Sequence, residues 1–200
     1  MRVLAIDCAT TACSVALFEN DALIAGHFAE IGRGHAERLV PLIASLPGRG
    51  RAAQIRVSLG PGSFTGVRIG LAAARALGLA WGADLRGYPT LALVAAMAME
   101  AEPGPVSVAM IGGHGEFFVQ DFGADAVPAD EVTSLPPDSA ARRVSHQRVA
   151  GNAAEVLEAK KKIINQDRLK KYSRFLAPLY GRAPDARPIA IPASGAGSPA

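Results

Sequence analysis

Residues 3–18, VLAIDCATTACSVALF, contain two short apolar runs that meet at a polar turn. The first run, VLAIDC at 3–8, carries β-branched residues and ends at a carboxylate, which is typical of a buried strand. The second run, CSVALF at 13–18, is followed by the turn sequence Glu19-Asn20-Asp21 and then by ALIAGHFAE at 22–30. Turn residues between apolar runs favour chain reversal, so we predict three strands in an antiparallel meander.

The turn within this stretch carries Asp7 together with three hydroxyl residues, Thr10, Thr11 and Ser14. Backbone N–H groups and hydroxyls at such a hairpin can hold phosphate oxygens, and the carboxylate can hold magnesium through water. An Asp at the end of a strand is also a common turn or cap residue. The hairpin alone therefore leaves a phosphate site and a structural turn both open.

A helix, a strand, a glycine-rich loop and a second helix follow the meander. Apolar residues at helical spacing predict a helix over His35–Leu46, which Pro41 should bend. IRVSL at 55–59 predicts a fourth strand, and GPGSFTG at 60–66 predicts a loop that can receive an anion or a partner loop. On the next helix, Val67 to Trp81, one side (the thin side) carries only glycine and alanine, so another backbone can approach it closely.

The second half of the chain begins at the Pro/Gly punctuation of residues 103–105, which indicates a domain boundary. The predicted elements around it are a strand over 84–88, a helix over 90–101, strands over 105–111 and 116–122, a short helix over 138–143, a strand at 148–152 and a helix from Ala153. We therefore predict an N-terminal lobe over 1–102, a smaller C-terminal lobe over 103–182 and a disordered Pro/Gly-rich tail over 183–200.

Composition excludes several classes of protein. Half of the 200 residues are apolar, which suffices for a sizeable core and excludes a disordered or fibrous chain. The formal charge is only +3, so attraction to nucleic acid would need a local patch. Cys8 and Cys13 lack a metal or redox spacing, which indicates buried, reduced thiols. The first residues lack a signal-peptide pattern and charges interrupt the apolar stretch 66–85, so we expect a cytoplasmic protein without membrane contact.

Four segments resemble the successive signatures of the TsaB family. They are DCATTACSVAL at 7–17, GHAERLVPLI at 34–43, SLGPGSFTGVRIGLAAARAL at 58–77 and PLYGRAPDA at 178–186. Their order and spacing match the family as well as their residues do, and the GPGSFTG loop is the most specific of them. The resemblance is strong over residues 1–100 and weak over the second half.

The resemblance implies an α/β protein with an actin-like (ASKHA) fold, in which two lobes of ribonuclease-H-like units have mixed sheets flanked by helices. It further implies a non-catalytic subunit that pairs with the related catalytic subunit TsaD, which forms threonylcarbamoyladenosine beside the anticodon of tRNAs reading ANN codons. An ATPase, TsaE, joins the two. ATP and a divalent metal are then expected on the partner subunits, no cofactor is expected on this chain, and tRNA is contacted only indirectly.

The contact that the resemblance implies uses the first two helices, over 35–46 and 67–81, and the hairpin at Asp7 becomes a degenerate phosphate site. The predicted contact residues are His35, Glu37, Leu39, Leu42, Gly66, Arg68, Ile69, Gly70, Ala73, Ala74 and Leu77. Small residues on the second helix would let a partner helix dock closely. The same helices could also join two copies of this chain in a homodimer.

The main alternative is an ATP-dependent phosphotransferase of the same superfold. Such an enzyme needs a second phosphate hairpin in its second half. SVAMIGGHGEFF at 107–118 has no carboxylate at the corresponding turn and no cluster of hydroxyls, which disfavours this alternative.

A glycoprotease-like metallopeptidase ranks last. His35-Ala36-Glu37 begins the HxExxH pattern that places two histidines on one helix face, but the second histidine is missing. Ser63 and Thr65 lie in a loop without the GxSxG pattern of a nucleophile elbow. We therefore predict neither a metal site nor a catalytic residue.

Two segments depart from the family pattern. His114-Gly115-Glu116 lies in a hairpin where the family carries a more charged sequence, and we expect a flexible turn there. All lysines of the chain lie in Lys160-Lys161-Lys162 and Lys170-Lys171. Three interpretations of this segment are open: a basic helix that touches tRNA phosphates, a solvated surface, or a stretch foreign to the original sequence. A run of charges is usually a solvated face, so we predict no contact with nucleic acid here.

Overall fold

The computed structural model describes residues 1–153, which form two mixed β-sheets with helices packed on them. The first sheet has the order β3-β2-β1-β4-β5. Its strands are β1 Arg2–Asp7, β2 Ala12–Glu19, β3 Ala22–Glu30, β4 Gln54–Ser58 and β5 Asp84–Tyr88. The first three strands pair antiparallel, and β4 and β5 continue the sheet parallel to β1. The meander predicted from residues 3–30 is confirmed.

The second sheet repeats the topology of the first on a smaller scale. Its strands are β6 Val106–Ile111, β7 Phe117–Phe122, β8 Thr133–Leu135 and β9 Val149–Ala150, in the order β8-β7-β6-β9. As in the first sheet, three strands form an antiparallel meander, and the fourth strand lies parallel to the first on its other side. The described chain therefore contains one supersecondary unit and its shorter copy.

Four α-helices connect and cover the sheets: α1 His35–Ala44, α2 Phe64–Trp81, α3 Thr90–Ala101 and α4 Pro137–Arg143. Alternation along β1 directs Leu4 and Ile6 to one face of the first sheet, where they pack with Leu39 of α1 and Ala74 of α2. Each fully buried leucine or isoleucine of this core contributes about 2 kcal/mol. Helices α1 and α2 therefore lie side by side over one face of the first sheet.

Helix α3 packs on the second sheet. Its Leu91 and Val94 join Val106 and Phe118 in a second core, which also includes Ala9 from the turn between β1 and β2. Because α3 directly follows β5 in the chain and shares a core with the second sheet, it couples the two halves of the fold. None of the helices within residues 1–153 has the combination of length and apolar content that a membrane span requires.

The observed elements differ from the prediction at a few ends. Helix α2 begins at Phe64 rather than Val67, because Ser63 caps it by accepting a hydrogen bond from the Gly66 N–H at 3.2 Å. Strand β8 is too short for an alternation of apolar and polar residues to be visible in the sequence. It lies in a segment that was predicted to be a loop. The two sheets lie on either side of the predicted boundary at 102/103, and the boundary itself stays a prediction.

Several predictions fall on residues outside the described part of the chain. They concern the helix continuing from Ala153, the lysine segment at 160–171, the PLYGRAPDA signature at 178–186, the end of the second lobe at 182 and the tail at 183–200.

Candidate functional site

Asp7 lies at the end of β1, fully buried in the turn region of the first hairpin. The Ala9 N–H donates to its Oδ1 at 2.6 Å, and the Tyr88 hydroxyl donates to its Oδ2 at 3.0 Å. Burial raises the pKa of Asp7 from 3.8 to about 7, because loss of hydration outweighs the hydrogen bonds from Ala9, Tyr88 and Ser58. Both carboxyl oxygens of Asp7 therefore already accept hydrogen bonds from the protein itself.

The three hydroxyl residues of the hairpin do not converge on one space. Thr10 Oγ1 accepts from the Ala12 N–H at 2.6 Å and closes the turn, while Thr11 Oγ1 donates to Glu30 Oε1 at 3.3 Å on the outside. Ser14 pairs with Asp7 in the β1–β2 register, but its buried Oγ has no partner within residues 1–153. Two of the three hydroxyls therefore bind the chain's own turn and edge strand instead of presenting a phosphate cradle.

The glycine-rich loop at 60–66 rests directly on the same turn. The Ser63 N–H donates to the Ala9 carbonyl at 2.8 Å. A Cβ atom at Gly62 would lie 2.4 Å from that carbonyl oxygen, and one at Gly66 would lie 1.8 Å from the Cys8 carbonyl oxygen. Only glycine fits at these two positions. The loop that was expected to receive an anion or a partner loop is thus packed against the protein's own hairpin.

The thin side of α2 faces the interior, which differs from the surface position predicted for it. Gly66, Gly70 and Ala74 are buried, and a Cβ atom at Gly70 would lie 3.6 Å from Val57 of β4. Small residues are needed here because the helix crosses close to β1 and β4. These residues bring α2 close to its own sheet and are not available for contact with a partner.

Two of the predicted contact residues on α1 are also interior. Leu39 is 1% exposed in the core under the helix, and His35 is 6% exposed with its Nε2 3.2 Å from the Ala12 carbonyl oxygen. His35 therefore anchors the start of α1 to the hairpin. With the three residues of α2, five predicted contact residues are corrected to interior positions: His35, Leu39, Gly66, Gly70 and Ala74.

The remaining predicted contact residues lie at or near the surface. Glu37 and Arg68 are exposed. Leu42, Ile69, Ala73 and Leu77 are half-buried and pack against the core beneath α1 and α2. We define the α1–α2 face as nine of the exposed residues on the two helices: Ala36, Glu37, Arg38, Val40, Arg68, Ala72, Arg75, Ala76 and Leu79.

Two large apolar residues on this face were missed by the sequence analysis. Leu79 is 89% exposed and Val40 is 55% exposed. Leu79 continues the exposed line Arg68, Ala72, Arg75 along α2 at helical spacing, and this spacing from the arginines was the signal that could have placed it outside. We therefore take the α1–α2 face as a candidate interaction surface.

No cluster of three or more His, Cys, Asp or Glu side chains within residues 1–153 could hold a metal ion. His35 is buried while Glu37 is exposed, so the two do not form half of a metal site. Ser63 serves as the cap of α2. Cys8 and Cys13 are buried and free, as predicted, with their sulfur atoms 3.7 Å apart.

Two further features lie outside the first hairpin and the α1–α2 face: the turn at His114 and a surface cleft. His114 lies in a short 3₁₀ turn over Gly113–Gly115 with a φ of 58°. A cleft of about 370 Å³ lies on the face of the first sheet opposite α1 and α2. Its charged lining residues are Asp21 and Arg56, and the Arg56 Nε already donates to Gln54 Oε1 at 2.9 Å. The cleft offers an apolar wall rather than a set of acid–base groups.

Comparison with known proteins identifies relatives of this chain. The family model described as "TsaD: tRNA N6-adenosine threonylcarbamoyltransferase" matches residues 29–176. The tRNA threonylcarbamoyladenosine biosynthesis protein TsaB of Escherichia coli (strain K12) is 44% identical over 90 residues, which cover 42% of this chain and 38% of the relative. TsaB of Haemophilus influenzae is 39% identical over 101 residues, covering 48% and 41%. The chain thus spans about two fifths of the length of the curated relatives it matches.

The solved structure of YeaZ from Pseudomonas aeruginosa has the same fold, with a TM-score of 0.68 over 86% of this chain and 91% of that one at 24% identity. Two sheets of shared topology flanked by helices, with a hairpin and an adjoining helix N-terminus in the first, define a protein of the actin-like (ASKHA) fold class, as predicted. The chain belongs to the family that the matching model describes. Its curated relatives are named TsaB, and the solved structure with the same fold is named YeaZ.

Proposed function

We propose that this chain is a non-catalytic subunit in the synthesis of threonylcarbamoyladenosine on tRNA, and that it acts by binding a TsaD-like catalytic subunit. The names of its relatives and the description of the family model support the pathway. ATP and a divalent metal then belong to the partner subunits, which include a TsaE-like ATPase. The product is the modified adenosine beside the anticodon of tRNAs reading ANN codons, in the cytoplasm, and tRNA meets this chain only indirectly.

The observation that carries the proposal is the exposed apolar character of the α1–α2 face. Leu79 at 89% exposure and Val40 at 55% leave apolar area in water that a partner can bury. Complete burial of one such side chain contributes about 2 kcal/mol to association. Half-buried Leu42, Ala73 and Leu77 lie at the edge of the core beneath the same helices and extend the apolar area.

The closed hairpin supports the non-catalytic part of the proposal. Asp7 is buried with its carboxyl oxygens already bound, and the loop at 60–66 lies against the turn. A phosphotransferase of this fold would need the same carboxylate ionised and open to a metal-bound nucleotide. The geometry disfavours that alternative, and no arrangement of residues within 1–153 favours the metallopeptidase.

The proposal is tested by co-purification of the tagged chain with the TsaD-like subunit of the same organism. Leu79→Asp should abolish co-purification, because a buried unpaired carboxylate at the contact costs several kcal/mol. Val127→Asp is the matched control, since Val127 is 56% exposed but lies in the second half of the fold. Urea unfolding should show both variants folded, with a loss of at most about 1 kcal/mol; the larger loss is expected for Leu79→Asp, which places a carboxylate near the negative end of the α2 dipole.

The outcomes test the proposed function and the proposed contact surface separately. If the wild-type chain does not co-purify with the TsaD-like subunit, the proposed function is wrong. If the wild type and Leu79→Asp co-purify equally well, the partner binds elsewhere.

A further inference from the structure

The outer edge of the first sheet, at β3, lacks the features that usually prevent strand pairing. Open edges are normally kept short, charged or interrupted by proline. Within residues 1–153, the second sheet ends in strands of three and two residues, and the other edge of the first sheet carries the ion pair between Arg86 and Asp84. Strand β3 has nine residues and no proline, and its only ionisable side chains are His27 and Glu30. This edge is therefore open to another strand.

Strand β3 also exposes apolar side chains. Leu23, Ile24 and Phe28 are three of the eight large apolar residues that lie exposed within residues 1–153. The register sets Phe28 beside Ser14, and Ser14 beside Asp7, so Phe28 lies on the face of the sheet opposite α1 and α2. Because apolar side chains at an open edge favour pairing with another chain, the strand is suited to burial.

The β2–β3 ladder shows which backbone groups of β3 are free for a partner. The Ile31 N–H donates to the Thr11 carbonyl at 3.0 Å, and these two residues lie one step beyond the last pair of the register. Hydrogen-bonded pairs alternate along an antiparallel ladder, so His27, four positions before Ile31, also bonds to β2. Gly26 and Phe28 therefore direct their N–H and C=O groups to the outer edge.

These outward groups are spaced for pairing with a second copy of the same strand. In a two-fold dimer centred on His27, Gly26 of each copy lies opposite Phe28 of the other, and each pair exchanges its N–H···O bonds. The Phe28 ring then covers the backbone of a glycine that has no side chain of its own. The two His27 side chains lie on the other face, where each Nε2 is 2.9 Å from Ser45 Oγ at the end of α1.

The charges at the two ends of β3 match in the same arrangement. Asp21 precedes the strand and Arg33 follows it, and each lies six residues from His27. Both side chains are exposed, and neither takes part in an ion pair within residues 1–153. Antiparallel pairing brings Arg33 of each copy beside Asp21 of the other. A peptide from another protein would have to supply this pattern, whereas a second copy already contains it.

We propose that β3 pairs antiparallel with β3 of a second copy of this chain, so that the two first sheets become one continuous sheet. Backbone hydrogen bonds at the edge hold the pair, and the exposed apolar side chains of β3 add contact area. A contact of this size is small, so the dimer is reversible, with a Kd of about 10 μM. The contact is separate from the α1–α2 face and does not depend on the proposed function.

Sedimentation equilibrium of the full chain over a concentration series tests the dimer. The wild type should change from mostly monomer at about 1 μM to mostly dimer at about 100 μM. Phe28→Lys places a cation at the paired edge and should raise the Kd at least about tenfold. Val127→Lys is the matched control, because Val127 is exposed in the second half of the fold, and it should leave the Kd within about twofold.

Two further measurements test the register of the pairing. Arg33→Asp should raise the Kd at least about threefold, because it sets carboxylates together, and adding Asp21→Arg should restore the wild-type value within about twofold. In residue-resolved hydrogen exchange, the Gly26 and Phe28 amides should exchange at least about tenfold more slowly at the higher concentration than at the lower one. The His27 amide, which bonds within the chain, should be protected at both.

Three results would overturn the inference. A wild type that stays monomeric at the higher concentration refutes it. A dimer that Phe28→Lys leaves intact and Leu79→Asp dissociates forms through the α1–α2 face, which also refutes it. A dimer in which the Gly26 and Phe28 amides exchange as fast as in the monomer excludes strand pairing. None of these results depends on binding of the TsaD-like subunit, so the proposed function is tested separately.

Discussion

Replacing Asp7 by asparagine should change how stability depends on pH. The folded protein holds this carboxyl at a pKa of about 7, whereas in the unfolded chain it ionises near 3.8. Below pH 3.8 both states are protonated and no penalty exists. As pH rises toward 7 the unfolded chain ionises first, so the wild type loses up to about 4 kcal/mol of stability.

The asparagine variant lacks this penalty and can keep the local hydrogen bonds. Its carbonyl oxygen can accept from the Ala9 N–H, and its amide can donate to the Tyr88 oxygen. The Tyr88 hydroxyl can then donate to the Ile6 carbonyl, which it already approaches at 3.3 Å. Between pH 5 and pH 8, the stability of Asp7→Asn relative to the wild type should therefore rise by about 2.5 kcal/mol.

The assay is urea unfolding of both proteins at several pH values, followed by circular dichroism. Asp138→Asn, at an exposed carboxylate of α4, is the control and should follow the wild type across the range. A difference between Asp7→Asn and the wild type that stays constant within about 0.5 kcal/mol from pH 5 to 8 would show an ionised Asp7. It would refute the raised pKa of the buried Asp7 carboxyl.

Three further changes test the packing and the ligand preference. Gly66→Ala should lower the free energy of unfolding by at least about 3 kcal/mol, because its Cβ would lie 1.8 Å from the Cys8 carbonyl oxygen. Gly70→Ala is the control: the nearest atom would lie 3.6 Å from its Cβ, so the same urea assay should show little loss of stability. Arg143→Ala should cost about 2 kcal/mol at pH 7, because it removes the donor 3.1 Å from the nearly buried Asp121 carboxylate; an unchanged urea midpoint would contradict this. Millimolar ATP with magnesium should leave the thermal midpoint unchanged, and a clear rise in differential scanning fluorimetry would show nucleotide binding.

Sequence patterns predict every strand and α-helix from β1 to α3 within three residues of its observed ends. The alternation of the strands and the spacing of the helices carry this information locally. The family resemblance adds the two-lobed fold. The start of α2 differs because capping by Ser63 draws Phe64 into the first helical turn, which a list of turn residues does not reveal.

The position of the contact residues could be predicted only in part. Periodicity shows that Gly66, Gly70 and Ala74 share one side of α2, but a thin side can meet either a partner or the protein's own sheet. The short distance to the Cys8 carbonyl decides for the interior. Leu79 was missed for the converse reason, because a leucine in an apolar helix is usually part of the core.

Isothermal titration calorimetry of one preparation against two ligands tests most directly whether this chain is a binding subunit or a nucleotide-using enzyme. With the TsaD-like subunit, we expect saturable one-to-one binding with a Kd below about 10 μM, or about −7 kcal/mol. With ATP and magnesium, we expect no saturable heat. Saturable binding of ATP with magnesium, together with no binding of the TsaD-like subunit, would contradict the partner role.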